Sequence, residues 1–110
     1  MEISAEQAGS FHVLAITGRL DSNTAPGFEE RLIEAVSAHG GNVLVDCAGL
    51  GYVSSAGLRV LLVGAKRAKA QGGQMRLCAL GPNIRQVFEV SGFLAVFPTF
   101  GTRSEATAAA

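Results

Sequence analysis

The chain has 110 residues, enough for one domain with its own core. With 48% apolar and 16% charged residues, it lies far from the composition of disordered chains. Nine Lys and Arg balance nine Asp and Glu, so no global field draws it onto nucleic acid or an anionic lipid surface.

No basic segment followed by an apolar run stands at the start, so a secretory signal is not expected. No apolar stretch approaches the roughly 20 residues of a membrane helix, and membrane insertion is not expected either. Cys47 and Cys78 are too few for a disulfide framework and have no His at ligand spacing. Two buried, reduced thiols of a cytoplasmic protein are expected, with no metal.

In chain order, residues 2–7 and 11–17 read as two strands of a hairpin turning at Ala8, Gly9 and Ser10. Residues 18–23 read as a loop by composition. Asn23 or Thr24 offers a cap for a first helix, and Pro26 fits its first turn because no hydrogen bond is lost there. Phe28, Leu32 and Val36, with Ile33 beside them, form its buried stripe, and Gly40-Gly41 ends it. Residues 42–47 form a continuous apolar run of the kind found in a strand covered on both faces.

Residues 48–51 are turn-like, after which Ser54 or Ser55 can cap a second helix. Leu58, Leu61, Leu62 and Ala65 make its inward face, and Gly72-Gly73 stops it. Residues 75–79 predict another strand. Gly81-Pro82 opens a third helix with Ile84, Val87 and Phe88 inward, stopped by Gly92, with Phe93 packing back on Phe88. Residues 95–100 predict a last strand, and the Ala-rich end, residues 101–110, a short or frayed helix beyond a core spanning 1–100. The order β-β-α-β-α-β-α-β predicts a single α/β domain over residues 1–110, its sheet mostly parallel with an antiparallel strand at the start.

Most signals of catalysis are missing. His12 and His39 have no Cys, Asp or Glu at metal-ligand spacing and read as solvated or structural. Neither a phosphate-binding G-x-x-x-x-G-K-[ST] loop nor a G-x-G-x-x-G turn is present. No cofactor is implied, and an enzyme is not expected. A nucleotide-binding or hydrolytic enzyme has only the Gly49-to-Gly57 region and Asp21 in its favour.

The informative segment runs from Asp46 to Leu58, where a buried strand ends and two serines stand at the mouth of an amphipathic helix. Free backbone N–H groups and the helix dipole favour a negative group there. A phosphoryl group would bring about −1.5 to −2 charges near neutral pH. Either serine could also serve simply as a cap.

Asp46, Ala48 and Leu50, followed by Val53, Ser54, Ser55, Ala56, Gly57 and Leu58, resemble the signature of the STAS family of anti-sigma factor antagonists. That signature is a D-x-S-x-L run, a hydrophobic residue and then D-S-S/T-G-L. Gly18, Arg19, Leu20 and Asp21 resemble the family's G-x-L-D loop, and residues 80–93 its third helix. The resemblance implies a mixed sheet of four or five strands with helices packed mainly on one face. It implies a cytoplasmic partner-switching protein, monomeric when free. Its partners would be an anti-sigma factor that is a serine kinase of the GHKL type and a resetting phosphatase of the PP2C type. The implied phosphoacceptor is Ser55, with Ser54 as its rival.

Three positions depart from the signature: Ala48 replaces its first serine, Ser54 the Asp before the acceptor, and Ala56 the hydroxyl residue after it. Partner contacts are expected where loops after parallel strands gather, from Asp21, Ser22, Asn23, Ser54, Ser55, Gly57, Leu58 and Arg59. A STAS scaffold that works without phosphorylation, in a lipid-transport or stress-signalling assembly, is the competing expectation.

Overall fold

The computed structural model describes residues 1–108. Its elements are β1 (Glu2–Ala8), β2 (Phe11–Leu20), α1 (Ala25–Ala38), β3 (Val43–Val53), α2 (Ser55–Ala70), β4 (Met75–Cys78), α3 (Pro82–Ser91), β5 (Thr99–Phe100) and α4 (Arg103–Ala108). A single 3-10 turn, Phe93–Ala95, precedes β5. Strand order repeats chain order, β1-β2-β3-β4-β5, with β1 antiparallel to β2 and the other neighbours parallel.

Successive parallel strands always step the same way across this sheet. Right-handed crossovers therefore put the connecting helices on one face. Phe28 and Leu32 of α1, Leu61 of α2, and Ile84 and Phe88 of α3 share a core there with Leu14, Ile16, Val43, Val45 and Leu77 of the strands. Each such fully buried large side chain contributes about 1.5–3 kcal/mol of apolar burial. The pleat sends Phe11 and Val13 of β2 to the opposite face, where they pack with Leu44, Cys78 and Ala106 of α4. The mixed five-stranded sheet with helices mainly on one face agrees with the sequence reading.

Several elements differ from expectation. The predicted loop over 18–23 begins later, because β2 continues to Leu20 with Gly18 at φ +106°. The turn predicted over 48–51 is strand: β3 runs unbroken to Val53, pairing Thr17 with Gly49, Gly18 with Leu50 and Arg19 with Tyr52. Two register shifts, between Ala15 and Thr17 and between Gly18 and Arg19, let β3 carry extra residues without leaving the sheet. Gly49 makes this possible, since a Cβ there would lie 2.7 Å from Thr17 Oγ1.

At the other edge, β5 is only Thr99–Phe100. Pro98 accepts from Leu77 N but has no N–H of its own to extend the ladder. Phe97 meets Phe88, with ring centroids 6.0 Å apart, and Phe93 packs on Phe97 against the same core. Val87 is exposed, so the inward face of α3 is Ile84 and Phe88. Leu62 and Ala65 are half-buried, and Val60, Gly64 and Ala68 complete the buried face of α2.

The expected frayed end forms α4, with residues 109 and 110 outside the described residues. Arg103 anchors it, donating to Asp46 Oδ2 through Nε (3.1 Å) and Nη2 (2.9 Å) and pairing with Glu6. Arg76 is buried beneath, its guanidinium 4.5 Å from the Phe11 ring centroid and donating to Gln74 Oε1 and the Ala106 carbonyl. A buried cation requires such partners, so α4 both covers an apolar face and satisfies a charge.

Candidate partner-binding and modification site

The end of the sheet where β2 and β3 finish is built by their register. Leu20 pairs with Val53, and Ser54 N then donates to the Leu20 carbonyl at 2.9 Å. The first turns of α1 and α2 therefore stand side by side.

At the start of α2 the two serines divide the work. Ser54 has extended backbone (φ −96°, ψ 174°), and its Oγ accepts from Gly57 N at 3.2 Å, which makes it the cap. Ser55 is the first helical residue and is exposed, and its hydroxyl makes no hydrogen bond among the described residues. Gly57 and Leu58, expected to meet a partner, are buried. A Cβ at Gly57 would lie 2.7 Å from Leu20 Cγ and 2.9 Å from its carbonyl oxygen. These two residues seat the helix against β2 and leave the surface to their neighbours.

Thr24 is the N-cap residue of α1, one of the two expected, but its side chain makes no capping hydrogen bond, and the loop before the helix is organised around Asp21. Asp21 Oδ1 accepts from Asn23 N (2.9 Å) and Thr24 N (3.1 Å), while the Thr24 hydroxyl donates to the Arg19 carbonyl (2.8 Å). The Thr24 amide above all, then the Asn23 amide, the Thr24 hydroxyl and the Arg19 guanidinium, outweigh burial and hold the Asp21 carboxyl below its ordinary pKa. Ser22 and Asn23 are exposed at the tip.

Strand pairing also creates a surface pair that no sequence spacing announces. The Arg19 guanidinium lies 4.1 Å from the centroid of the Tyr52 ring, and its Nε is 3.6 Å from Asp21 Oδ2. Tyr52 is 40% exposed, a large aromatic held open to solvent beside the serine pair. Between α1 and α2 a cleft of about 180 Å³ is lined by Ser22, Pro26, Glu29, Ala56, Arg59 and Val63, among others. Ser22 and Arg59 are thus brought together, with Ala56 beside Ser55 at the rim. A roomier groove of about 510 Å³, lined by Lys69, Met75 and Phe97, lies where β4 begins, away from the serines.

The two histidines also meet. The rings of His12, on β2, and His39, at the end of α1, stack with centroids 3.9 Å apart and 7° between planes. Burial, together with His39 and Arg31, lowers the pKa of His12. No group of three or more His, Cys, Asp or Glu among the described residues is disposed to hold a metal ion. Among the same residues, no helix is long and apolar enough to cross a membrane.

The family model described as STAS domain matches residues 2–106. BtrV of Bordetella bronchiseptica, whose name marks it as a candidate anti-sigma factor antagonist, is 37% identical over 109 residues, covering 99% of this chain and 94% of BtrV. An anti-sigma-factor antagonist (STAS) domain protein from Planctomyces limnophilus has a solved structure with a TM-score of 0.87 at 23% identity, covering 97% of this chain and 96% of that one. The phosphorylated form of the Bacillus cell fate determinant SpoIIAA gives a TM-score of 0.70 at 21% identity over 96% of each chain. The two structures are alike in fold.

Proposed function

Since the chain belongs to the STAS domain family, we propose that it is an anti-sigma factor antagonist whose hold on its partner is switched by phosphorylation of Ser55. The observation that carries this reading is the division of labour between the serines. Ser54 is engaged as a cap, while Ser55 presents an unbonded, exposed hydroxyl at the helix mouth. A relative of the same fold, SpoIIAA, exists in a phosphorylated form.

The unmodified protein binds an anti-sigma factor in the cytoplasm through the surface around Ser55, with Ser22, Asn23, Arg59 and the Arg19–Tyr52 pair contributing. That partner is a serine kinase of the GHKL type, and a PP2C-type phosphatase resets the switch. Regulation, and no catalysis by this chain, is the output. A phosphate at Ser55 adds about −1.5 to −2 charges and the bulk of three oxygens to a surface a partner must desolvate. A lost contact worth about 2–4 kcal/mol weakens binding roughly 30- to 1,000-fold. Within the domain the same charge faces the positive end of α2, so the fold tolerates it.

Incubation with the kinase and ATP, followed by intact-mass and fragment-ion measurement, tests the assignment. One phosphate on Ser55, absent from Ser55→Ala, is expected. Unchanged labelling of Ser55→Ala sinks it, and label on Ser54 transfers the role to that residue.

A further inference from the structure

Helix α2 carries Arg59, Lys66, Arg67 and Lys69 and no carboxylate. Arg67 and Lys69 lie in the last turn, where the dipole favours cations. Arg59 lies near the opposite end, where a cation gains nothing from the dipole. It is exposed and makes no ion pair or hydrogen bond among the described residues. Glu29 lines the same cleft without pairing with it. Asp21, the acid at the neighbouring loop, is occupied by the Asn23 and Thr24 amides and by Arg19.

Ser55 and Arg59 are four residues apart on one helix and both are exposed. That spacing puts their Cβ atoms about 5–6 Å apart on the same face. Helical side chains lean toward the N-terminus, so the guanidinium extends over the turn that Ser55 occupies. Ser54 is neutral, and no carboxylate at that position competes for the cation.

We propose that Arg59 is the internal receiver of the Ser55 phosphate, a positioning residue that pairs with it and leaves the wall of the α1–α2 cleft as it does so. The idea rests on Ser55 being the phosphoacceptor. It adds a second component to the switch: a partner meets a new anion at Ser55 and also a cleft whose cationic wall has moved and been neutralised. A charge-assisted, two-pronged contact suits the guanidinium and the phosphate oxygens.

The test uses the full chain with phosphoserine encoded at position 55, as otherwise wild type, Arg59→Ala and Arg59→Lys. Phosphorus NMR titration reads the second ionisation of the phosphate, ordinarily near pH 6. It is expected about 0.2–0.4 pH units lower in the wild-type background than in Arg59→Ala, with Arg59→Lys between them. The Arg59 Nε–H resonance is expected to move on phosphorylation while that of Arg67 stays. Equal ionisation in wild type and Arg59→Ala, or an unmoved Arg59 resonance, overturns the proposal. A purely structural Arg59 would leave the phosphate's ionisation alone. Because the phosphate is installed during synthesis, this outcome is separate from the kinase assay, whose failure would sink the assignment of Ser55 instead.

Discussion

Ser54 N donates to the carbonyl of Leu20 at 2.9 Å, so the last rung between β2 and β3 is made by the residue that caps α2. Leu20 also receives Gly57, the third residue of that helix, in close contact. The entry of α2 is therefore fixed by one residue of the neighbouring strand, and the surface position of Ser55 follows from it.

The two serines should separate cleanly by mutation. Ser54→Ala removes the oxygen that accepts from Gly57 N and should cost about 1 kcal/mol. Ser55→Ala should stay within about 0.5 kcal/mol of wild type. Urea unfolding of both decides it. Equal losses in the two variants would mean that Ser55 shares the capping role.

Gly57→Ala should destabilise by about 1–3 kcal/mol. Its methyl group would fall on Leu20 Cγ and the Leu20 carbonyl, and a backbone oxygen of a central strand cannot swing aside. A wild-type unfolding midpoint would show that α2 can shift at no penalty.

Asp21 makes stability depend on pH with a definite sign. Its folded pKa lies below its unfolded one, set near 3.9. Its contribution is therefore complete above that unfolded value and lost as pH falls through the folded one. Asp21→Ala should melt below wild type at pH 7, and the gap should close below about pH 4. A gap that persists unchanged into acid would assign the effect to packing.

Arg103→Ala should loosen α4 with little change in global stability, about 1 kcal/mol at most for a partly solvated ion-pair network. Local opening would show in Cys78, which lies under α4 with Ala106 and whose thiol burial pushes up to about 12. Thiol labelling of Cys78 should accelerate in Arg103→Ala, while Cys47, on the face covered by α1, α2 and α3, stays protected. Equal acceleration at both cysteines would indicate general destabilisation.

The helices and most strands were legible because their signals are local. Phe28, Leu32 and Val36 repeat on one face of α1, and Val43, Leu44, Val45 and Cys47 of β3 are buried on both sides of the sheet. Which of the two serines caps α2 was not legible, since both fit a cap by type, and only the structure assigns that role to Ser54. The glycines of β3 look like a turn locally. Only the partner strand β2 turns them into bulges. The Arg19–Tyr52 pair, the stacked histidines and buried Arg76 depend on register between distant segments, and nothing in their own neighbourhoods announces it.

A sheet whose strand order repeats the chain order has a kinetic corollary. Each parallel pairing closes over a single crossover, so no strand waits for a distant one and the loop-closure entropy stays modest at every step. Folding can grow outward from the β2-α1-β3 unit, whose two strands share the most extensive parallel ladder. Helix α4 reaches back to Glu6, Phe11 and Asp46, contacts that exist only once the strands are in place. Substitutions in the central unit should then slow refolding, whereas those in α4 should act on the unfolding limb of the chevron.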